Sequence, residues 1–408
     1  MTDATTASWL RDRLWIAWAT AVAVWSVWIG SLALGTPAWK RDAEGMLLCA
    51  DHIAFYSAAT LLRDGRPGEL YTPDAIGEVQ QNAVRADGEW PYHMAYRNPP
   101  FYALLYVPTA GLPFVGSVLV WMAVSFAAIG FAVWCLRPAR PWRTFARALA
   151  FYPVFTAITF GQNTPLSLAV YAAVYRLAAD RRPFAAGLAA GLLWYKPQLL
   201  IGLFVWWGLA PRRHRWEWLG VAATGFLLAA VSWLVIPEAS RAFVETLRAN
   251  VTYGGENEWN LHSPRKFWAV LLPGAAAELL MSLTLLATAA AVGAAAWLRL
   301  RTGGALAVMF PAAVFVTLWA SPHTLIYEWA LLFAAAVVLW ERLPARRDTW
   351  LTWFTVAWLA LTVSTTATLV QKRFLGWPVL FQLSIPVLAV VGVRLFRSLG
   401  GREAVPAT

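Results

Sequence analysis

Charge is scarce in this sequence. Of 408 residues only 13% are Asp, Glu, Lys or Arg and 59% are hydrophobic, which excludes a freely soluble globular domain. Cysteine is scarcer still. Cys49 and Cys135 fall at opposite ends of the helical bundle expected below, so no disulfide is expected between them, and no Cys or His spacing matches a metal site. There is no Gly-rich loop of the P-loop or dinucleotide-binding kind, so nucleotide cofactors of those classes have no cradle. Short alternating segments typical of a membrane β-barrel are also missing.

Long apolar runs are what the sequence has in abundance. Mean hydropathy is +0.53, and runs of about 20 residues, enough to cross ~30 Å of hydrocarbon as a helix, recur from end to end. Spans are expected near 14–36, 115–136, 147–160, 163–179, 183–196, 198–210, 217–236, 274–299, 304–320, 323–341, 349–369 and 375–396. The expected fold is an all-α polytopic membrane protein of about twelve transmembrane helices (roughly ten to thirteen), a single transmembrane domain over residues 1–408. No small-residue cleavage site follows the first run, so it reads as a retained helix rather than a signal peptide.

Short Arg-rich loops, such as RPARPWRTFAR (137–147), PRRHRW (211–216) and ERLPARRD (341–348), fall on one side if both termini are cytoplasmic, as the positive-inside rule asks. The net charge of +11 is then a topology signal, spread over loops rather than gathered on a soluble face, and nucleic acid is not an expected partner. Membrane lipids are. The 26 tryptophans suit an interfacial belt. An Ala-, Arg- and Trp-rich composition with few Lys points to the inner membrane of a bacterium.

Two outer segments are long, 37–114 and 237–273, and both are expected to carry interfacial helices. Asp51 and His52 sit in the first. Three spans break at polar residues on the same outer side: Gly161-Gln162-Asn163, Lys196-Pro197 and Ser321-Pro322-His323. Irregular backbone with polar side chains at membrane depth is costly unless buried in protein or lining a watery cavity, so four such features on one face suggest a shared chamber. Each taken alone also fits a plain hairpin turn.

In such a chamber Asp51 suits a general base. Lys196, His323, Arg97, Lys372 and Arg373 suit a lipid-linked phosphate. Gln162 and Asn163, with His52, Tyr56 and Glu328, suit sugar or acceptor hydroxyls. Other readings stand beside these. Asp51 fits an N-cap of a helix starting at His52, Lys196 a snorkelling side chain, His323 a local cap and Arg97 a loop ion pair. Glu328 is the second candidate acid. His262, Glu256, Glu258, Trp90 and Trp259 lie on loops whose paths the sequence does not fix. A transporter of a lipid-linked sugar is the alternative class, though it favours polar residues at mid-membrane and internal repeats.

Four stretches carry a resemblance: ADHIAFYSAATLLRDGRPGELYTP (50–73), YRNPPFYALLYVPTAGLP (96–113), FGQNTPLSLAVYAAVYRLAADRRPFAAGLAAGLLWYKPQLLI (160–201) and SPHTLIYEWALL (321–332). Together they resemble glycosyltransferase family 87 of the GT-C class, polyprenyl-phosphate-sugar-dependent membrane enzymes whose best-known members are mannosyltransferases. The resemblance implies a GT-C bundle with an outer-facing site and a polyprenyl-phosphate sugar donor. It implies Asp51 as catalytic base and no nucleotide sugar. A lipid or glycan acceptor is expected, and the displacement expected at such a site needs no metal. His52 departs from the apolar or aromatic residue often found after that Asp.

Overall fold

The computed structural model describes residues 14–35, 47–84, 94–249, 260–272, 274–300, 306–321, 323–343, 347–371 and 382–400. Among them the chain is helix and turn throughout, apart from one isolated antiparallel bridge between Leu261 and Leu325. Among the described residues, three helices are long and apolar enough to cross a membrane: Phe114–Leu136, Arg215–Val235 and Gly274–Ala294. Shorter apolar helices include Ala21–Ala33, Pro183–Tyr195, Pro197–Gly208 and Leu306–Ala320.

The helices that position the site are α1 (Leu14–Ala33), α2 (His52–Arg63), α3 (Phe114–Leu136), α4 (Tyr152–Thr159), α5 (Thr164–Ala179), α6 (Pro183–Gly191), α7 (Ile201–Gly208), α8 (Arg215–Val235), α9 (Leu306–Ala320), α10 (Leu332–Arg342), α11 (Arg347–Val370) and α12 (Ser384–Gly400). α3 packs along α5, α6 along α8, and α7 along α9, while α4 lies against the 3-10 turn Ile326–Leu331. The last crossing is tight enough to need glycine. A Cβ on Gly202 of α7 would lie 1.8 Å from the Ala313 carbonyl oxygen of α9, and the Gly202 N–H donates to Thr317 Oγ1 at 2.9 Å. Helices in lipid gain little from apolar contact with one another, so close backbone approach and inter-helix hydrogen bonds do more of the holding.

One expected span is interrupted. Over 147–160 the chain forms the end of a helix, Pro141–Ala150, then an extended Phe151, then α4. Pro153 causes the break: it has no N–H to give the Leu149 carbonyl four residues back, and its ring would clash there. Tryptophans from two other helices take over. Trp25 Nε1 of α1 donates to Leu149 O and Trp358 Nε1 of α11 donates to Ala150 O, each at 3.0 Å. Both thiols, Cys49 and Cys135, are buried and free.

The first outer segment contains α2 and a second helix, Pro73–Val84, and the second contains Pro237–Arg248 and Pro264–Leu271. α2 is buried on nearly every face, including Ile53, Phe55, Ala58, Ala59 and Leu61. It is therefore a fixed wall of the domain, which is what a precise site requires.

Candidate functional site

The site begins where two turns meet. α4 ends in a left-handed residue, Gly161 at φ +70°, with Gly161 N–H on Ile158 O and Gln162 N–H on Ala157 O, the usual way a helix satisfies its last carbonyls. Pro165, in the first turn of α5, starts the next helix without losing a needed donor. The 47–51 turn lies directly against this junction. Asp51 N–H donates to Phe160 O at 3.0 Å, the Cys49 thiol points to Ile158 O at 3.5 Å, and Gln162 Nε2 donates to Asp51 Oδ2 at 2.6 Å.

Asp51 precedes α2 in sequence, yet its side chain makes no capping bond to that helix. The carboxylate turns to Gln162 instead. Its other oxygen, Oδ1, takes no hydrogen bond among the described residues. Burial pushes the Asp51 carboxyl up to about 6, opposed by the Gln162 hydrogen bond and the Lys196 charge, both of which favour the ionised form. The group is mostly ionised at neutral pH and able to accept a proton.

Lys196 arrives from the break between α6 and α7. Pro197 bars the helical conformation from the residue before it, and Lys196 stands at φ −137°, ψ 78° between two 3-10 turns, Leu192–Tyr195 and Pro197–Leu200. Its ammonium meets Glu328 Oε1 at 3.2 Å and lies 5.6 Å from the Tyr327 ring centre. Two pairs far apart in the chain, Asp51 with Gln162 and Lys196 with Glu328, thus lie near one another: the Lys196 charge acts on the Asp51 carboxyl, and the Phe160 ring lies 6.4 Å from that of Tyr327.

Around the cluster lies a buried aromatic wall. Phe55 stacks on Tyr106 at 4.9 Å, Tyr102 on Tyr195 at 4.3 Å and His52 on Trp121 at 5.8 Å; Trp121 Nε1 donates to Gln162 O at 3.3 Å. Within this wall Asn163 is fully buried beside the Tyr102 hydroxyl, yet neither of its amide atoms has a well-formed hydrogen bond. Gln162 Oε1 and Thr164 Oγ1 are likewise unpaired. Each such orphan costs about 1–3 kcal/mol. Groups left so beside an acid and an amine suit water or ligand hydroxyls.

The remaining candidates are placed around it as follows. His52 is buried, with Nε2 2.9 Å from Ser117 Oγ, and burial lowers it to about 3, so it is a neutral wall residue. Tyr56 donates to Leu112 O at 3.0 Å. Arg97 and His323 are exposed. Lys372 and Arg373, like Glu256, Glu258, Trp90 and Trp259, lie outside the described residues.

His262 is a residue whose place the sequence left open. Fully buried, it sets Nδ1 2.7 Å from Ser384 Oγ and Nε2 3.1 Å from Thr365 Oγ1. Its N–H donates to Thr324 O, and its carbonyl accepts from Trp329 Nε1. It ties the second outer segment to α11, α12 and the strip that carries Glu328. No motif announces such a clasp, because its partners are single hydroxyls 103 and 122 residues away. Among the described residues no three His, Cys, Asp or Glu side chains gather closely enough to hold a metal ion.

Removing the Gln162 amide is expected to move the Asp51 titration. A hydrogen bond to a charged group is worth about 1.5–3 kcal/mol, and about 1.4 kcal/mol corresponds to one pKa unit. Gln162→Leu should therefore raise the Asp51 value from about 6 by roughly one unit or more. The acid limb of any activity that needs the ionised carboxylate then shifts to higher pH, and a pH–rate profile of the two proteins reads the shift directly.

A family model described as Glycosyltransferase family 87 matches residues 96–322, more than half of the chain and inclusive of Gln162, Asn163 and Lys196. No curated protein and no solved structure matches.

Proposed function

This chain belongs to glycosyltransferase family 87, and from that premise we propose that it moves a sugar, mannose in the first instance, from a polyprenyl-phosphate donor to a lipid or glycan acceptor. The observation that carries this reading is a carboxylate and an ammonium brought near one another. Gln162 holds the half-free Asp51 carboxylate, Glu328 holds the Lys196 ammonium, and the Lys196 charge favours ionisation of Asp51.

In the proposed reaction the acceptor hydroxyl gives its proton to Asp51 as its oxygen attacks the anomeric carbon. The bond from that carbon to the phosphate oxygen breaks, and the configuration inverts in a single displacement. The departing lipid phosphate carries its charge toward Lys196, with Arg97, His323, Lys372 and Arg373 as further proposed contacts. Fixed cations in a site with little water stabilise such a leaving group strongly, so the scheme needs no metal. Gln162 and Asn163, with His52 and Tyr56, are the proposed surroundings of the sugar and acceptor hydroxyls, and Glu328 borders them through Lys196. The unpaired atoms of Gln162 and Asn163 support that assignment.

The wider setting belongs to the same proposal: a single GT-C domain of about twelve crossings in a bacterial inner membrane. Its termini are cytoplasmic, its site opens to the periplasm, and the outer segments 37–114 and 237–273 roof it. The apolar, all-helical structure and the Arg-rich loops support this arrangement.

Purified protein in lipid nanodiscs, given labelled polyprenyl-phosphate mannose and a lipid acceptor, is expected to yield labelled acceptor of inverted anomeric configuration. A nucleotide sugar is expected to yield none. Transfer from the nucleotide sugar would refute the donor class, and movement of the lipid-linked sugar across the bilayer without chemical change would favour a transporter.

A further inference from the structure

Lys196 meets one acid, Glu328, directly, and its charge acts on a second, Asp51; the surroundings of the two acids differ. Asp51 leaves one oxygen without a hydrogen bond among the described residues. Glu328 has both engaged: Oε1 on the Lys196 ammonium at 3.2 Å, and Oε2 accepting from the Leu325 N–H at 3.3 Å. The Glu328 side chain is 3% exposed and that of Lys196 13%, so this pair is shielded from water rather than a surface contact. A carboxylate so occupied is poorly placed to collect a proton from a substrate.

Lysine is a point charge on a flexible four-carbon stem, and its direction is set only by what holds its tip. Here one side of the tip is held by Glu328 and the Tyr327 ring lies nearby. Glu328 is in turn fixed by its backbone. Leu325 bridges Leu261, and Thr324 O accepts from His262, whose ring is clasped by Ser384 and Thr365. A chain of contacts therefore runs from α11 and α12 through the second outer segment to the ammonium that acts on Asp51.

We propose that Glu328 is a positioning residue, the fixed counter-ion that keeps Lys196 aimed at the departing phosphate. The proposal rests on the glycosyltransferase reading above and assigns its second acid a role distinct from that of Asp51. Glu328 acts through Lys196, so its effect must vanish when Lys196 is gone.

The test is a double-mutant cycle on the full-length protein in nanodiscs, with wild type, Glu328→Gln, Lys196→Met, the two combined, and Glu328→Asp. Gln at 328 still offers an oxygen to the Leu325 N–H, and thermal unfolding with size-exclusion profiles reports the fold. Should Glu328→Gln fail to fold, Glu328→Leu combined with Lys196→Met, which leaves no unpaired charge, stands in its place beside Glu328→Asp. Two quantities are read: kcat and KM for transfer, and Kd for a polyprenyl phosphate without sugar.

Glu328→Gln is expected to lower kcat/KM about 30-fold, with the same division between kcat and KM as Lys196→Met. The combined variant should be no worse than Lys196→Met alone, and Glu328→Asp should recover most of the loss. Losses that multiply in the combined variant would sink the proposal, as would a Glu328→Gln protein within about twofold of wild type. Tighter lipid-phosphate binding by Glu328→Gln would do so too, since it would mark Glu328 as a competing anion. Wild type that binds polyprenyl phosphate but transfers no sugar refutes the glycosyltransferase reading, while the cycle on Kd still decides the role of Glu328. Wild type that binds none overturns both.

Discussion

Asp51→Asn is expected to lower sugar transfer by about a thousandfold while leaving the protein folded. A positioned general base contributes about 10²- to 10⁴-fold, and the other acid of the cluster is already occupied by Lys196 and Leu325. Asn keeps a side-chain oxygen for the Gln162 amide, so the local geometry should survive. The wild-type rate should rise with pH through about 6 and level off above it, because the base must be ionised and its value is raised by burial.

The stability consequence has the opposite sign. A carboxyl raised from its usual 3.8 to about 6 in the folded state makes the folded protein bind a proton where the unfolded chain has lost it. Its contribution to stability is therefore greatest below that window and is lost as pH rises from about 4 to about 6. Asn never ionises. At pH 7.5 the Asp51→Asn protein should unfold at the same temperature as wild type or higher, by up to a few degrees. Full activity, or a marked fall in unfolding temperature, would each contradict the assignment.

Gly161→Ala is expected to cost about 100-fold in transfer together with a clear loss of stability. Two independent penalties meet there. The left-handed φ of +70° is unfavourable for any residue with a Cβ, by about 1–2 kcal/mol. The new Cβ would also fall 2.7 Å from the Cβ of His52 and 2.8 Å from that of Cys49, so the two turns must part. Their separation stretches the 2.6 Å Gln162–Asp51 bond, and displacement of a catalytic group by about 1 Å can cost about 10²-fold. Gly65→Ala supplies the control. It has nearly the same φ, +73°, but nothing within 4 Å of its Cβ position, so it should lose some stability and keep its activity. Equal activity losses in the two variants would remove the steric argument.

Much of the site could be read before the fold was known, and the reason is local chemistry. Gly-Gln-Asn, Lys-Pro and Ser-Pro-His interrupt apolar runs, and such interruptions are visible in one dimension because lipid tolerates so few of them. The structure gives Gln162 to Asp51 and Glu328 to Lys196, with the Lys196 charge acting on Asp51. It sets His323 and Arg97 at exposed positions and turns His52 into the aromatic wall. The wall itself was not legible. Tyr102, Tyr106 and Trp121 look like any other interfacial aromatics until α3 and the 100–109 turns fold around α2. The break at Phe151 was not read from the sequence, where 147–160 is one expected span although Pro153 lies within it, and the two indoles that make it tolerable come from α1 and α11.

Hydropathy, Arg placement and a handful of motifs were enough to specify a helical membrane protein of this family and to mark an acid and an amine as candidates for its chemistry, because each is a property of a short stretch in a given solvent. Which acid keeps an oxygen open and which is filled by an amine and a backbone N–H was decided only by tertiary contact. The two differ in what fills their oxygens, and the partners that fill them, Gln162 for Asp51 and Lys196 for Glu328, stand 111 and 132 residues away.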